Sequence, residues 1–258
     1  MSERNTTPGA GKVALVTGAS SGIGQAAAVE LARRYYQVAV HYFTNEKGAR
    51  ETFDRIRALK HGRARVYACD ASDPAQVNQM AGDVLSDFGR LDALVNNAGS
   101  LIERKNLAEM DYDFWRRVVA LNLDSVFLVT RAFLPRMIQQ GGGCIVNVAS
   151  IAGRHGGGPG AAAYATAKGA VITLTKGMAK ELIQHGIRVN CINPGVIDTP
   201  FHERFTTKEM MERFVAAIPQ RRAGTSVEMA KVIAFLLSDD SSHLVGECVE
   251  ANGGLLMD

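Results

Sequence analysis

The sequence predicts an α/β protein with a doubly wound parallel sheet and helices on both faces. Two observations carry that reading. Short apolar runs alternate with longer helical patterns from one end of the chain to the other, and strict alternation implies right-handed crossovers and a parallel sheet between two helical layers. The strand candidates are continuous apolar runs, as expected of strands buried on both faces.

In chain order, "KVALVTG" reads as a strand, "GIGQAAAVELARRY" as a helix, "QVAVHYF" as a strand and "EKGARETFDRIRALK" as a helix. Next come "ARVYACD" as strand and "DPAQVNQMAGDVLSDF" as helix, with Asp73 as its cap and Pro74 in its first turn. "LDALVNNAG" is a strand, "DYDFWRRVVALNLDSVFLVTRAFLPRMIQQ" one long helix, "GCIVNVAS" a strand and "AAAYATAKGAVITLTKGMAKEL" a helix. "IRVNCINPG" follows as strand, then "FHERFTTKEMMERFVAAI" as one helix and "TSVEMAKVIAFLLS" as another, opened by a capping box from Thr225 to Glu228. "GECVEANGG" is the last strand.

Composition narrows the function classes. The chain has 258 residues, 47% of them hydrophobic and 21% charged, and a formal net charge of +3. Those are the proportions of a soluble globular protein, and no block of like charge marks a nucleic-acid or membrane surface. Small molecules are the expected partners. No apolar run reads as a membrane span, and "MSERNTTPGAGK" lacks the apolar core of a signal peptide, so a cytoplasmic protein is expected. Cys69, Cys144, Cys191 and Cys248 lie far apart in or beside apolar segments, which reads as buried thiols without metal or disulfide. Residues 1–10 are expected to form a flexible tail and 11–258 a single domain.

The chemistry sits in the turns. Gly18, Gly22 and Gly24 lie between the first strand and first helix, where the backbone can approach a pyrophosphate at the helix N-terminus. Tyr164 and Lys168 are four residues apart and share a helix face. A free phenol ionises near pH ~10, so a neighbouring ammonium would have to favour the phenolate by about 3 to 4 kcal/mol to make Tyr164 a usable acid/base.

The form "TGASSGIG" resembles the short-chain dehydrogenase/reductase family, and the resemblance runs from about Lys12 to Gly254 through "NNAG" at 96–99, Asn122, Ser150, Tyr164-x-x-x-Lys168 and "NPGVIDT" at 193–199. It implies a Rossmann-type fold and NAD(P)-dependent interconversion of an alcohol and a carbonyl. The family's roles would fall on Tyr164 as proton donor, Ser150 as the group holding the substrate oxygen, Lys168 as tuner of the phenol and ribose ligand, and Asn122 as the holder of a relay water. Thirteen residues separate Ser150 from Tyr164, one more than is commonest in the family, so either Ser150 or a neighbour in the glycine-rich loop would hold that oxygen. The cofactor would lie on Gly18, Ser20, Ser21, Gly22, Ile23 and Gly24. Beyond that turn it would meet Tyr42, Thr44 and Asp70, then Asn97, Ala98 and Gly99. Its nicotinamide end would meet Tyr164, Lys168, Pro194, Gly195, Val196, Ile197 and Thr199.

Tyr42 stands where an aspartate would signal NAD, and His41, Thr44 and Asn45 could bond a phosphate, so the expectation leans to NADP(H) over NAD(H). Substrate walls are expected from the loop after Gly99, with Leu101 and Ile102, from Arg154 and His155, and from a lid over 199–220 carrying Phe201, His202, Arg204 and Phe205. Arg154 and His155 suggest a small polar substrate such as a sugar, sugar acid or hydroxy acid. The enzyme runner-up is a 3-oxoacyl carrier-protein reductase; a non-catalytic dinucleotide sensor is the reading from another class. The resemblance also implies a homotetramer.

Overall fold

The computed structural model describes residue 9 and residues 11–257. Apart from Gly9, the tail expected over 1–10 lies outside the described residues, as does Asp258. Seven parallel strands form the central sheet in the order β3-β2-β1-β4-β5-β6-β9. They are β1 (Val13–Val16), β2 (Gln37–Tyr42), β3 (Arg63–Ala68), β4 (Ala93–Asn96), β5 (Gly143–Val148), β6 (Ile187–Pro194) and β9 (Cys248–Ala251). A separate two-stranded pair joins β7 (Ile197–Asp198) to β8 (Gly224–Thr225).

One face of the sheet is covered by α1 (Gly22–Arg33), α2 (Glu46–Arg57) and α10 (Ser226–Leu236), which bury Leu31, Ile56 and Ile233 against Val16, Val40 and Val95. The other is covered by α3 (Pro74–Phe88), α5 (Ser125–Gln139) and α7 (Ala162–Leu182), where Val84, Phe133 and Leu182 pack on Leu15, Leu94 and Ile145. The strand sequences show why. In β1 and β4 every residue is buried, whereas edge strand β3 exposes Arg63 and Arg65, charges that discourage pairing with another chain. The order turns back between β1 and β4, so the C-terminal ends of these strands open into a crevice, the place where open parallel sheets bind ligands.

The expected caps are present. Asp73 accepts from the amides of Ala75 and Gln76 with Pro74 in the first turn, and Thr225 and Glu228 form the capping box of α10. Three elements differ from expectation. The single helix read over "FHERFTTKEMMERFVAAI" is two, α8 (Pro200–Phe205) and α9 (Lys208–Ala217), because Thr206 is extended and Thr207 caps the second helix by accepting from the amide of Met210. The loop after Ser150 contains a short helix, α6 (Ala152–His155), followed by Gly156 and Gly157 at positive φ. The long helix is α4 (Tyr112–Val119) joined to α5 by one π-type turn at Ala120–Asp124. That rod is long and apolar enough to cross a bilayer, contrary to the sequence reading; Phe114, Val118, Val126, Val129 and Phe133 are buried along it, the pattern of a core helix.

Candidate active site

Four segments converge at the crevice: the glycine turn after β1, residues 97–101 after β4, residues 148–152 after β5, and the start of α7. They line a cleft of 510 Å³ that also takes in Thr44, Asp70 and residues 194–197, within the usual range for a small-molecule site.

The glycine turn is fastened from two sides. The hydroxyl of Thr17 accepts from the amides of Asn97 at 2.9 Å and Ala98 at 3.0 Å, and the side chain of Asn97 donates to the carbonyls of Thr17 at 2.9 Å and Gly18 at 3.2 Å. On the other side, His41 Nδ1 accepts from the Gly18 amide at 3.0 Å while its Nε2–H donates to the Cys69 carbonyl at 2.9 Å. Both ring nitrogens are thereby occupied in the neutral form, and burial lowers the imidazole to about 4. Sequence reading offered His41 to a phosphate; the structure spends it on the turn. Tyr42 packs on the core and does not line the cleft, which Phe43 and Thr44 reach instead. Alternate residues of a strand point to opposite faces, and the faces of β2 could not be assigned before its register was known.

The turn fits a dinucleotide. Gly18 has φ +63°, and a Cβ there would lie 3.0 Å from the Ala98 Cα, so only glycine lets the two segments meet. Ser21 precedes α1 without capping it through its side chain, leaving first-turn amides for an anion beside Ser20, Gly22 and Ile23. Gly24 lies behind this surface against the Gly18 carbonyl and packs the helix on the turn. Asp70 holds the amide and hydroxyl of Ser72 on one carboxylate oxygen, at 2.9 and 2.7 Å.

Tyr164, Ser150 and Lys168 all line the cleft. Lys168 is 3% exposed, donates to the Val148 carbonyl at 2.8 Å and sits 5.8 Å from the centre of the Tyr164 ring. Burial lowers its ammonium to about 8. The phenol differs from expectation: burial pushes Tyr164 up to about 12, with the Ser150 hydroxyl pulling the other way. Desolvation of the phenolate outweighs an ammonium that is turned towards Val148, so residues 150, 164 and 168 by themselves hold the phenol protonated.

Asn122 lies behind the lysine in the π-type turn and is fully buried. Its Oδ1 accepts from the Ser100 amide at 3.0 Å, and its Nδ2 donates to the carbonyls of Ser100 and Val118, each at 2.8 Å. A Cβ on Gly99 would fall 2.7 Å from Asn122 Oδ1 and 3.1 Å from Lys168 Nζ. The three residues therefore meet only because position 99 has no side chain.

Of the expected substrate residues, His155, Phe201, His202 and Leu101 line the cleft. Ile102, Arg154, Arg204 and Phe205 do not; Arg154 is turned to β9, where it pairs with Glu250 at 2.9 Å. Phe201 leans over Tyr164 with ring centres 5.8 Å apart. Sequence reading missed Thr17 and Arg104, whose partners lie 55 to 101 residues away in the chain. Among the described residues no group of three or more His, Cys, Asp or Glu could hold a metal ion.

The family model described as enoyl-(acyl carrier protein) reductase matches residues 18–256. The chain belongs to the short-chain dehydrogenase/reductase family. It is 38% identical over 247 residues to the 3-oxoacyl-[acyl-carrier-protein] reductase FabG of Staphylococcus aureus, covering 95% of this chain and 98% of that protein. The FabG of Thermotoga maritima is also 38% identical, over 96% of this chain and 98% of its own, and that of Escherichia coli is 37% identical over the same shares. The chain is thus an NAD(P)-dependent oxidoreductase acting on the CH–OH/C=O couple. The lean to NADP(H) agrees with this membership, and nothing among these relatives supports a sugar substrate.

Proposed function

We propose that this enzyme reduces 3-oxoacyl thioesters carried on acyl carrier protein, with NADPH as the hydride donor. The observation that carries the reading is what surrounds Tyr164: a phenol, a hydroxyl and a buried ammonium at one end of a cleft whose other walls include Leu101, Ile151, Phe201, Phe214 and Leu255. Such walls suit an acyl chain. A sugar would need a polar partner for each hydroxyl it buries, and Arg154, the residue that suggested one, is engaged with Glu250. The relatives named above carry the same 3-oxoacyl activity in their names.

When bound, NADPH would supply the hydride that the carbonyl carbon takes up. Ser150 holds the carbonyl oxygen by its hydroxyl, and Tyr164, kept protonated by burial, donates its proton to that oxygen as charge develops. Lys168 would hold the cofactor's ribose and carries the positive charge that would steady the phenolate left behind. Asn122 holds Ser100 and the Val118 carbonyl so that Gly99 stays against the lysine. The segment over 199–220 acts as the lid, and the enzyme works in the cytoplasm as a tetramer, to which exposed Tyr112 and Phe127 on the α4–α5 rod would contribute.

The deciding experiment follows NADPH oxidation with 3-oxoacyl and 2-enoyl thioesters on the carrier protein, beside sugars and hydroxy acids. Turnover of the 3-oxoacyl thioester is expected, and Tyr164→Phe should lower kcat by about a hundredfold to ten-thousandfold with cofactor binding unchanged. Turnover of the 2-enoyl substrate or of a sugar alone would overturn the reading. Cofactor binding without turnover of any of them would return the sensor to consideration.

A further inference from the structure

The loop that leaves Gly99 is anchored at its start, bent in its middle and attached across the cleft at its end. Ser100 is held on both main-chain polar atoms by Asn122. Ile102 has φ +64°, the left-handed region that a β-branched residue rarely takes, and its amide donates to the Ser100 hydroxyl at 2.9 Å. This bend carries Arg104 to the cleft wall. Its Nε donates to the carbonyl of Phe205, the last residue of α8, at 2.7 Å, and its Nη1 donates to the carbonyl of Pro159, in the loop behind Ser150, at 2.9 Å. Beside it, the Lys105 amide donates to the Gly160 carbonyl at 3.1 Å.

Little else holds α8. It contains no buried residue, and its ring contact with the site is that of Phe201 leaning on Tyr164, while His202 and Phe205 of the same helix pack around Phe201. Arg104 is the cation that ties this helix to the catalytic loop. The planar guanidinium can serve two diverging carbonyls at once, which one ammonium on a flexible stem does less well. Its charge also bears on the lid: burial and the nearby guanidinium together keep the His202 imidazole below its usual range.

We propose that Arg104 is a positioning residue that latches α8 to the loop behind Ser150 and sets how tightly the site closes over its substrate. With the latch made, Phe201 covers the phenol; with it released, α8 is held by ring contacts alone. The part concerning substrate rests on the 3-oxoacyl thioester reading, whereas the latch itself does not.

The test uses the full-length enzyme with NADPH, as wild type, Arg104→Ala and Arg104→Lys. Hydrogen exchange read by mass spectrometry over 199–207 should quicken by about tenfold or more in Arg104→Ala, as expected on losing two charge-assisted bonds, with partial recovery in Arg104→Lys. With a 3-oxoacyl thioester, KM should rise by about tenfold in Arg104→Ala while kcat and the NADPH Kd change little. Equal exchange over 199–207 in wild type and Arg104→Ala would overturn the latch, as would quickening spread evenly over the chain, which marks general destabilisation. Quickened exchange with an unchanged KM would overturn its role in closure. If wild type leaves the thioester unreduced, the substrate reading fails and the exchange result still decides the latch.

Discussion

Along the floor of the cleft, Thr17 and Asn97 tie together the segments that follow β1 and β4, while Asn122 from the α4–α5 rod and Lys168 from α7 bond the main chain of Ser100 and the carbonyl of Val148. Across from it, α8 and α9 contain no buried residue, and α8 is attached by the ring of Phe201 against Tyr164 and by Arg104. The difference separates two tasks. On the function proposed above, the groups that would meet a cofactor and move a proton stand on elements that can shift only if the core shifts, while the part that would admit and release substrate is held by contacts cheap enough to break and remake.

The largest expected effect sits on the floor. The unfolded His41 imidazole takes up a proton near pH 6.5 and the folded one only near pH 4, so between these values the unfolded chain binds more protons. Stability should therefore fall as pH drops through that window, by about 3 kcal/mol in all. Denaturant melts from pH 7 to 4 would show it, and His41→Phe, though less stable at pH 7, should lose that part of the slope; an unchanged slope would place the acid sensitivity elsewhere. Next, Gly99→Ala should cost about 1–3 kcal/mol, since its methyl meets Asn122 and Lys168 and the floor cannot give. Chemical denaturation measures that cost, and a neutral result would mean the floor is looser than its contacts imply. The smallest effect belongs to the lid. Phe201→Ala should change stability by less than about 1 kcal/mol while raising KM severalfold, and a loss as large as that of Gly99→Ala would erase the contrast between floor and lid.

The floor was far more legible in the sequence than the lid, for a physical reason. Strands buried on both faces must be apolar throughout, and the glycine turn, Asp73 and the Thr225–Glu228 pair each answer a local demand of the backbone. Tyr164 and Lys168 were readable because helical spacing fixes their relation. The lid was read as one helix because helix formers continue through it, and only Thr207, acting as a cap, breaks it. His41 was misassigned for want of a register. Arg104 gave no local signal at all, because its role depends on carbonyls at 159 and 205 that only the folded chain brings to it.

The wide turn at Ala120–Asp124 has a further consequence for what lengths this chain can have. Each residue of an α-helix advances the face by about 100°, and a π-type turn holds one residue more than the α-helix around it. That extra residue is a phase shift: Phe114 and Val118 before it, and Val126, Val129 and Phe133 after it, all reach buried positions on one rod. Deleting a single residue within 120–124 would let the turn close as an ordinary α-helical one with both sets still facing inward, whereas a deletion within α4 or α5 has no wide turn to absorb it and would rotate the rest of the rod by about 100°. Elsewhere on the rod, changes of length that leave both sets inward come in steps of a whole turn, three or four residues at a time.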